Sequence, residues 1–206
     1  MSKAAATTMR EPATERLERM RDVILPVVIK EITYAQQAFE MERRHSVLAF
    51  VTLAVDDTDT VDRTLLGKYT QPVIAMGVLR CRYLLEFLGI KAAGAPPELQ
   101  AVSRRSHDGD IGIEHFTRSD GRQLARVTPV EAASLFPAHP DTLTAWATVI
   151  TIAGQRLAHP TDDAKLSGRG LLHDELALTF ATIPELLCVK FYDSLSVERP
   201  RFMRSA

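Results

Sequence analysis

The stretch PVIAMGVLRCRYLLEFLGI, residues 72–90, decides the fold class of this protein. Apolar side chains would cover nearly every face of a helix over this segment, which is typical of a helix in the centre of a bundle. Pro72 suits the first turn of such a helix, and Gly89 suits the position that ends it. We therefore predict a mainly α protein, an antiparallel helical bundle built around this segment.

Three charged residues interrupt this apolar segment: Arg80, Arg82 and Glu86. Arg82 and Glu86 lie one helical turn apart and can form an ion pair. Breaking a buried pair costs about 3–5 kcal/mol, so each charge should have a partner or reach a polar cavity. Two interpretations follow. Arg82 and Glu86 form a structural ion pair, or Arg80 or Arg82 lines a groove and binds an anion such as an RNA phosphate.

Helical spacing also predicts helices before the central segment. Residues 13–44 carry apolar side chains at steps of three and four, with an ion pair between Glu15 and Arg19 and a bend expected at Pro26. The segment VLAFVTLAV, residues 47–55, has strand propensity but no alternation of apolar and polar residues. We predict a second helix there.

The second half of the chain has clear helix starts. Thr128, Pro129 and Glu131 fit a capping box with proline at the first helical position. Asp141 can cap the next helix, over 142–159, and the last long helix covers 171–195.

Domain boundaries follow from composition. We predict a disordered tail over 1–12, one helical domain over 13–197 and a basic C-terminal tail over 198–206. Residues 91–127 form a long irregular excursion from the bundle, with a short β-hairpin that could turn at Asp120–Gly121.

The composition is ordinary for a globular protein, with 46% hydrophobic and 25% charged residues in a chain of 206 and a net charge of −1. This balance argues against a basic protein that coats DNA. Cys81 and Cys188 are expected to be buried free thiols in a reducing cytoplasm. Because no signal sequence and no apolar stretch of about 18 residues occurs, we predict a cytoplasmic protein without a membrane span.

Two clusters offer candidate chemistry. Arg156 and His159 share a helix face, where His159 could act as a general acid or base and Arg156 could bind a phosphate, or both could simply complement a helix C-terminus. Histidines and carboxylates between 107 and 115 could bind a divalent metal or form a solvated loop (His107, Asp108, Asp110, Glu114, His115). The chain lacks the GxGxxG, P-loop, GxSxG and HExxH motifs, and no cofactor is expected.

Two short stretches, RCRYLLEFLG at 80–89 and QRLAHP at 155–160, resemble bacterial HEPN-like proteins. The resemblance implies a small antiparallel bundle, often a homodimer, that binds or cleaves RNA in toxin–antitoxin or defence systems. Active members carry an arginine and a histidine about four to six residues apart on one helix. Arg156 and His159 are closer than that, so the resemblance implies a protein without assured catalysis.

Three functions follow, in this order. The first is a helical scaffold or partner-binding protein of HEPN-like type. The second is an RNA-binding protein or metal-independent ribonuclease, with Arg156 and His159 as catalytic residues and Arg80 or Arg82 as RNA-binding residues. The third is a metal-dependent enzyme that uses the cluster at 107–115.

Overall fold

The computed structural model describes residues 13–55, 59–94, 98–105, 109–153 and 169–203. Within these ranges the protein is mainly helical with two short antiparallel sheets, which confirms the predicted fold class. The α-helices are α1 Thr14–Arg19, α2 Leu25–Arg44, α3 Leu66–Leu88, α4 Pro129–Ala133, α5 Thr142–Ile152 and α6 Arg169–Leu187. None of the helices in this part of the chain combines the length and the apolar character that crossing a membrane requires.

The central helix is α3, as predicted, but it begins six residues before Pro72, directly after a strand. Pro72 therefore lies inside the helix, where its missing N–H removes one backbone hydrogen bond near the N-terminal end. The helix ends at Gly89, whose φ of +99° is in the left-handed region that favours glycine. The fully buried side chains of α3 include Cys81, Leu84, Leu85 and Leu88.

The first long helix runs antiparallel to α3. A hydrogen bond joins Thr70 to Glu42 at one end of the pair, and an ion pair joins Arg80 to Glu31 further along. The helix is α-helical on both sides of a π-helical turn at Met20–Ile24, so the irregularity expected at Pro26 lies immediately before it. The core of the bundle also contains Trp146 of α5, whose indole N–H donates to Thr182 of α6 at 2.9 Å.

The prediction of a helix over 47–55 is wrong. β1 Phe50–Val55 pairs antiparallel with β2 Asp59–Leu65, with a shift in register between Leu53 and Ala54. Valine, threonine and phenylalanine favour a pleated, half-buried surface, and the returning strand supplies their hydrogen-bond partners. Local periodicity could not reveal that partner.

The excursion contains a two-stranded hairpin that was not predicted, in addition to a reversal at the predicted turn. β3 Ile90–Ala93 pairs with β4 Glu98–Ala101, so the chain reverses before residue 98. The chain also reverses at Asp120–Gly121, where Thr117 and Gln123 form an antiparallel bridge. The backbone N–H groups of Arg118 and Leu124 donate across this turn to the carbonyls of Arg122 and Phe116, both at 2.8 Å.

Two local predictions are confirmed and two are modified. Thr128 and Glu131 form the capping box at the start of α4, with Glu131 N–H donating to the Thr128 hydroxyl at 3.3 Å. Cys81 and Cys188 are buried and free, and burial raises the pKa of the Cys188 thiol to about 12. Asp141 occupies the N-cap of α5 without a side-chain capping bond. The last helix continues past α6 as a π-helical turn, Cys188–Asp193.

Candidate functional site

A cleft of about 590 Å³ opens where three parts of the fold meet. One wall is α1 with the π-helical turn, a second is the C-terminal part of α3, and the third is the excursion between residues 91 and 111. Its lining residues are Arg16, Arg19, Met20, Ile24, Arg82, Tyr83, Glu86, Phe87, Lys91, Val102, Arg104, Arg105, Gly109, Asp110 and Ile111. The volume lies within the range of about 300–1,000 Å³ that small-molecule sites occupy.

The described lining of the cleft is strongly cationic. It holds six basic side chains, Arg16, Arg19, Arg82, Lys91, Arg104 and Arg105, against the two carboxylates of Glu86 and Asp110. The chain as a whole has a net charge of −1, so this excess is local. Arg19, Lys91 and Arg104 are exposed and form no ion pair with any carboxylate of the described ranges. Such a concave group of cations raises the local concentration of anions.

The π-helical turn at Met20–Ile24 directs the side chains of Arg16 and Arg19 toward the cleft. Arg16 lies 18 residues before Tyr34, which is five full turns of an α-helix. In an uninterrupted helix the two side chains would therefore lie on the same, outward face. One extra residue in the turn rotates the preceding helix by about 100°. Arg16 and Arg19 therefore face α3 and the excursion, and Arg16 donates across the cleft to the Gly109 carbonyl at 3.0 Å.

Arg82 and Glu86 are paired on the cleft wall. The Arg82 Nε lies 2.8 Å from Glu86 Oε1, and the two side chains are 37% and 44% exposed. An ion pair this exposed contributes about 0.3–0.5 kcal/mol to stability, so it does not hold the core together. The remaining N–H donors of Arg82 can face the cleft.

Arg80 lies away from the cleft. Its Nε is 2.5 Å from Glu31 Oε2 on α2, although the angle there is not that of a hydrogen bond, and its terminal NH2 donates to Glu31 Oε1 at 3.4 Å. Of the two arginines predicted to bind an anion, only Arg82 lines the cleft.

A partly buried ionic cluster attaches the excursion to the end of α3. Arg105, only 7% exposed, donates to the carbonyls of Glu86 and Phe87 and binds the Glu114 carboxylate at 2.7 Å. Arg126 binds the same carboxylate at 2.7 Å and donates to the Val102 carbonyl at 2.9 Å. Burial acts to raise the pKa of Glu114, but the hydrogen bonds from Arg105 and Arg126 prevail and lower that pKa to about 2. Glu114 therefore stays ionised at neutral pH.

Gly112 makes room for this cluster. A Cβ atom at position 112 would lie 1.6 Å from the terminal nitrogen of Arg105 and 2.5 Å from the carboxylate of Glu114. No side chain fits there unless Arg105 moves. Glycine at this position is thus required for the attachment of the third cleft wall.

The floor of the cleft is apolar. The lining includes Ile24, Phe87 and Ile111. The ring of Phe87 packs edge-to-face against Phe116 and Phe191, with ring centres 5.9 and 5.3 Å apart. Tyr83 donates its hydroxyl to the Met20 sulfur at 3.4 Å, and burial raises its pKa, so the phenol stays protonated. The cleft thus offers cations around an apolar surface.

The other predicted site residues are not brought together. Arg156 and His159 lie outside the described residues, as do His107 and Asp108. Of the remaining cluster, Asp110 lines the cleft, while Glu114 is bound by two arginines and His115 Nδ1 accepts from the Gly112 N–H at 3.0 Å. Across the described ranges no three histidine, cysteine or carboxylate side chains are arranged to hold a metal ion.

Sequence reasoning missed most of the cleft. The predicted pair between Glu15 and Arg19 is not formed, and Arg19 lines the cleft instead. The one available signal was Arg104 and Arg105, adjacent in a segment that also carries glycine and acidic residues. Nothing in the local sequence connects them to Arg16 or Arg19, about 85 residues earlier.

No family model matches this sequence, no curated protein matches it, and no solved structure matches its fold. The resemblance to HEPN-like proteins stays a prediction.

Proposed function

We propose that the protein binds a nucleotide phosphate in the cationic cleft, presented by an RNA strand or by a free nucleotide. The observation that carries the proposal is a concave site with two carboxylates and five basic side chains besides the Glu114-bound Arg105, in a chain whose net charge is −1. Guanidinium groups bind phosphate oxygens through two parallel hydrogen bonds, and five of the six cations are arginines.

The floor of the cleft suits the rest of such a ligand. Flat apolar and aromatic surface beside cations accommodates a base next to its phosphate, since every base has an apolar face that can stack. Tyr83 and Ile111 lie in the lining beside the arginines. The volume holds about one nucleotide, so an RNA strand would pass through with its neighbouring nucleotides outside.

The proposal is a binding function without a bond-breaking step. The described lining holds no histidine, cysteine, serine or threonine, and its two carboxylates are Asp110 and Glu86, which is paired with Arg82. General acid–base catalysis needs a group whose pKa lies near the working pH. We also propose that the protein works in the cytoplasm, where both RNA and free nucleotides occur.

Fluorescence anisotropy with a short labelled RNA tests the proposal. If about three phosphates are neutralised, raising the salt from about 50 to about 200 mM weakens binding by about 10- to 20-fold. Replacing Arg19 and Arg104 by alanine should weaken binding by at least about tenfold and reduce the salt slope by about 1.4.

The matched control replaces Arg63 and Lys68, which removes the same charge. Both are exposed, and Lys68 lies about 21 Å along α3 from Arg82. The control should bind like the original protein. No binding at low salt, or equal losses in both double variants, would reject the cleft as the site.

Competition identifies the source of the phosphate. Nucleoside monophosphates and diphosphates are titrated against the bound RNA. If a nucleotide displaces the RNA at nucleotide concentrations below the dissociation constant of the RNA, the cleft binds a free nucleotide. If the RNA stays bound, the cleft binds the phosphate of an RNA strand.

The same samples test the ribonuclease alternative. We expect the RNA to be recovered intact after incubation. Cleavage that disappears in a His159→Ala variant, but persists in the Arg19 and Arg104 variant, would instead assign catalysis to Arg156 and His159.

A further inference from the structure

The outward face of the first long helix carries an apolar line that nothing covers within the described chain. Val23, Val27, Tyr34 and Met41 are 52%, 50%, 48% and 47% exposed. Steps of four and seven residues place them on one side of a helix, over a length of about 27 Å. The opposite face of α2 is already buried, whereas a surface helix ordinarily presents polar residues outward.

The neighbouring helix widens this line into a patch. Val73 and Met76 of α3 are 37% and 43% exposed. Arg80, one turn after Met76, meets Glu31, which lies between Val27 and Tyr34 on α2. The six apolar residues, with this ion pair among them, lie on one side of the α2–α3 pair, a surface that we call the α2 patch. Exposed apolar surface bordered by polar groups marks an interaction site more often than scattered residues do.

The two ends of the α2 patch carry opposite charges. The rotation at the π-helical turn that takes Arg16 and Arg19 to the cleft brings Glu15 and Glu18 onto the line of the patch. Beyond Met41 the same line ends at Arg44. Glu15, Glu18 and Arg44 are exposed, and none of them is within ion-pair distance of an opposite charge in the described ranges.

We infer that the α2 patch binds a second copy of this chain in an antiparallel, two-fold arrangement. A two-fold interface joins identical surfaces, and when its axis runs across the helices each end of the patch meets the opposite end of its partner. Glu18 of each copy then faces Arg44 of the other, and the apolar centres around Val27 and Tyr34 cover each other. The antiparallel direction also places opposite ends of the two helix dipoles together.

The centre of the patch tolerates this pairing. Glu31, which is paired with Arg80 of its own copy, and Lys30 lie nearest the two-fold axis. Lys30 holds its amine over the ring of its own Tyr34, 5.5 Å from the ring centre. It can reach solvent at the edge of the interface while its methylene groups pack against the partner. Because the patch is modest in area, association is expected at concentrations on the order of micromolar.

Sedimentation velocity over a range from about 5 to about 200 µM measures the association. We expect a concentration-dependent dimer, and Val27→Glu or Met41→Glu should raise its dissociation constant at least tenfold. The matched control is Val130→Glu, since Val130 is 74% exposed on α4, and this variant should dimerise like the original protein. Circular dichroism verifies that each variant is folded.

Charge reversal tests the antiparallel direction. Glu18→Arg and Arg44→Glu should each weaken the dimer, and the double variant E18R/R44E should restore it. In a parallel dimer each end would meet its own copy, so no rescue would occur. A monomer at every concentration, a dimer that Val27→Glu leaves intact, or absent rescue would overturn the inference.

The α2 patch shares no residue with the lining of the cleft. Loss of dimerisation with unchanged RNA affinity, or the reverse, separates the two sites. If the protein is a monomer and another protein or residues 1–12 bind the α2 patch, the proposed dimer is also wrong.

Discussion

Glu114 is the residue on which the third wall of the cleft depends. Its carboxylate is shared by Arg105 and Arg126, which in turn donate to backbone carbonyls at the end of α3 and in the excursion. One partly buried negative charge thus binds a buried and a partly buried positive charge. Removing it leaves the guanidinium of Arg105 without a carboxylate in a site that water hardly reaches.

Glu114→Gln should lower the free energy of unfolding at pH 7 by about 2–3 kcal/mol. This is below the ~3–5 kcal/mol of a fully broken buried pair, because glutamine keeps an accepting oxygen. The difference in the free energy of unfolding between the two proteins should have its full size above the ordinary glutamate pKa of 4.5. It should shrink as the pH falls toward 2, because a protonated Glu114 also lacks the charge. Urea unfolding at several pH values measures it.

The control for this experiment is Glu98→Gln, since Glu98 is exposed on β4. It should change stability by less than about 0.5 kcal/mol at every pH. A difference between original protein and Glu114→Gln that stays constant down to pH 2 would contradict a charge-based role.

At the scale of elements, the π-helical turn decides which way α1 faces. It is five residues long, and its phase shift separates Arg16 and Arg19, on the cleft, from the apolar line that begins at Val23. Turns of this kind recur at functional sites, because they re-aim side chains without ending a helix.

Deleting Val23 should convert the turn into regular α-helix and rotate α1 by about 100°. Arg16 and Arg19 would leave the cleft, so RNA affinity should fall at least as far as in an Arg19→Ala variant, while the helical circular dichroism stays unchanged. Val23→Ala keeps the turn and should bind RNA normally. Unchanged affinity in the deletion variant would show that the turn does not aim these arginines.

At the scale of the whole molecule, the fold brings like charges together in the cleft, where they repel one another. Three distant parts of the chain contribute cations to it, and the lining contains few carboxylates to offset them. A bound anion relieves that repulsion and stabilises the folded state in proportion to its concentration over its dissociation constant.

Pyrophosphate should therefore raise the melting temperature. At 100 times its dissociation constant the stabilisation is about 2.7 kcal/mol, or roughly 5–10 °C for a chain of this size. Sodium chloride at equal ionic strength should raise it far less. The variant lacking Arg19 and Arg104 should lose most of the shift, and an equal shift in that variant would place the anion elsewhere.

The sequence alone determined the central helix, its end at Gly89, the capping box at Thr128 and the helical class of the fold, because periodicity and capping act over a few neighbouring residues. Tertiary structure alone decided that 50–55 is a strand, that Arg82 faces a cleft while Arg80 binds Glu31, and that Arg16, Arg19 and Arg104 meet. Each of these depends on a partner far along the chain. Local pattern carries no record of such a partner, since contact between distant residues follows from packing of the complete chain.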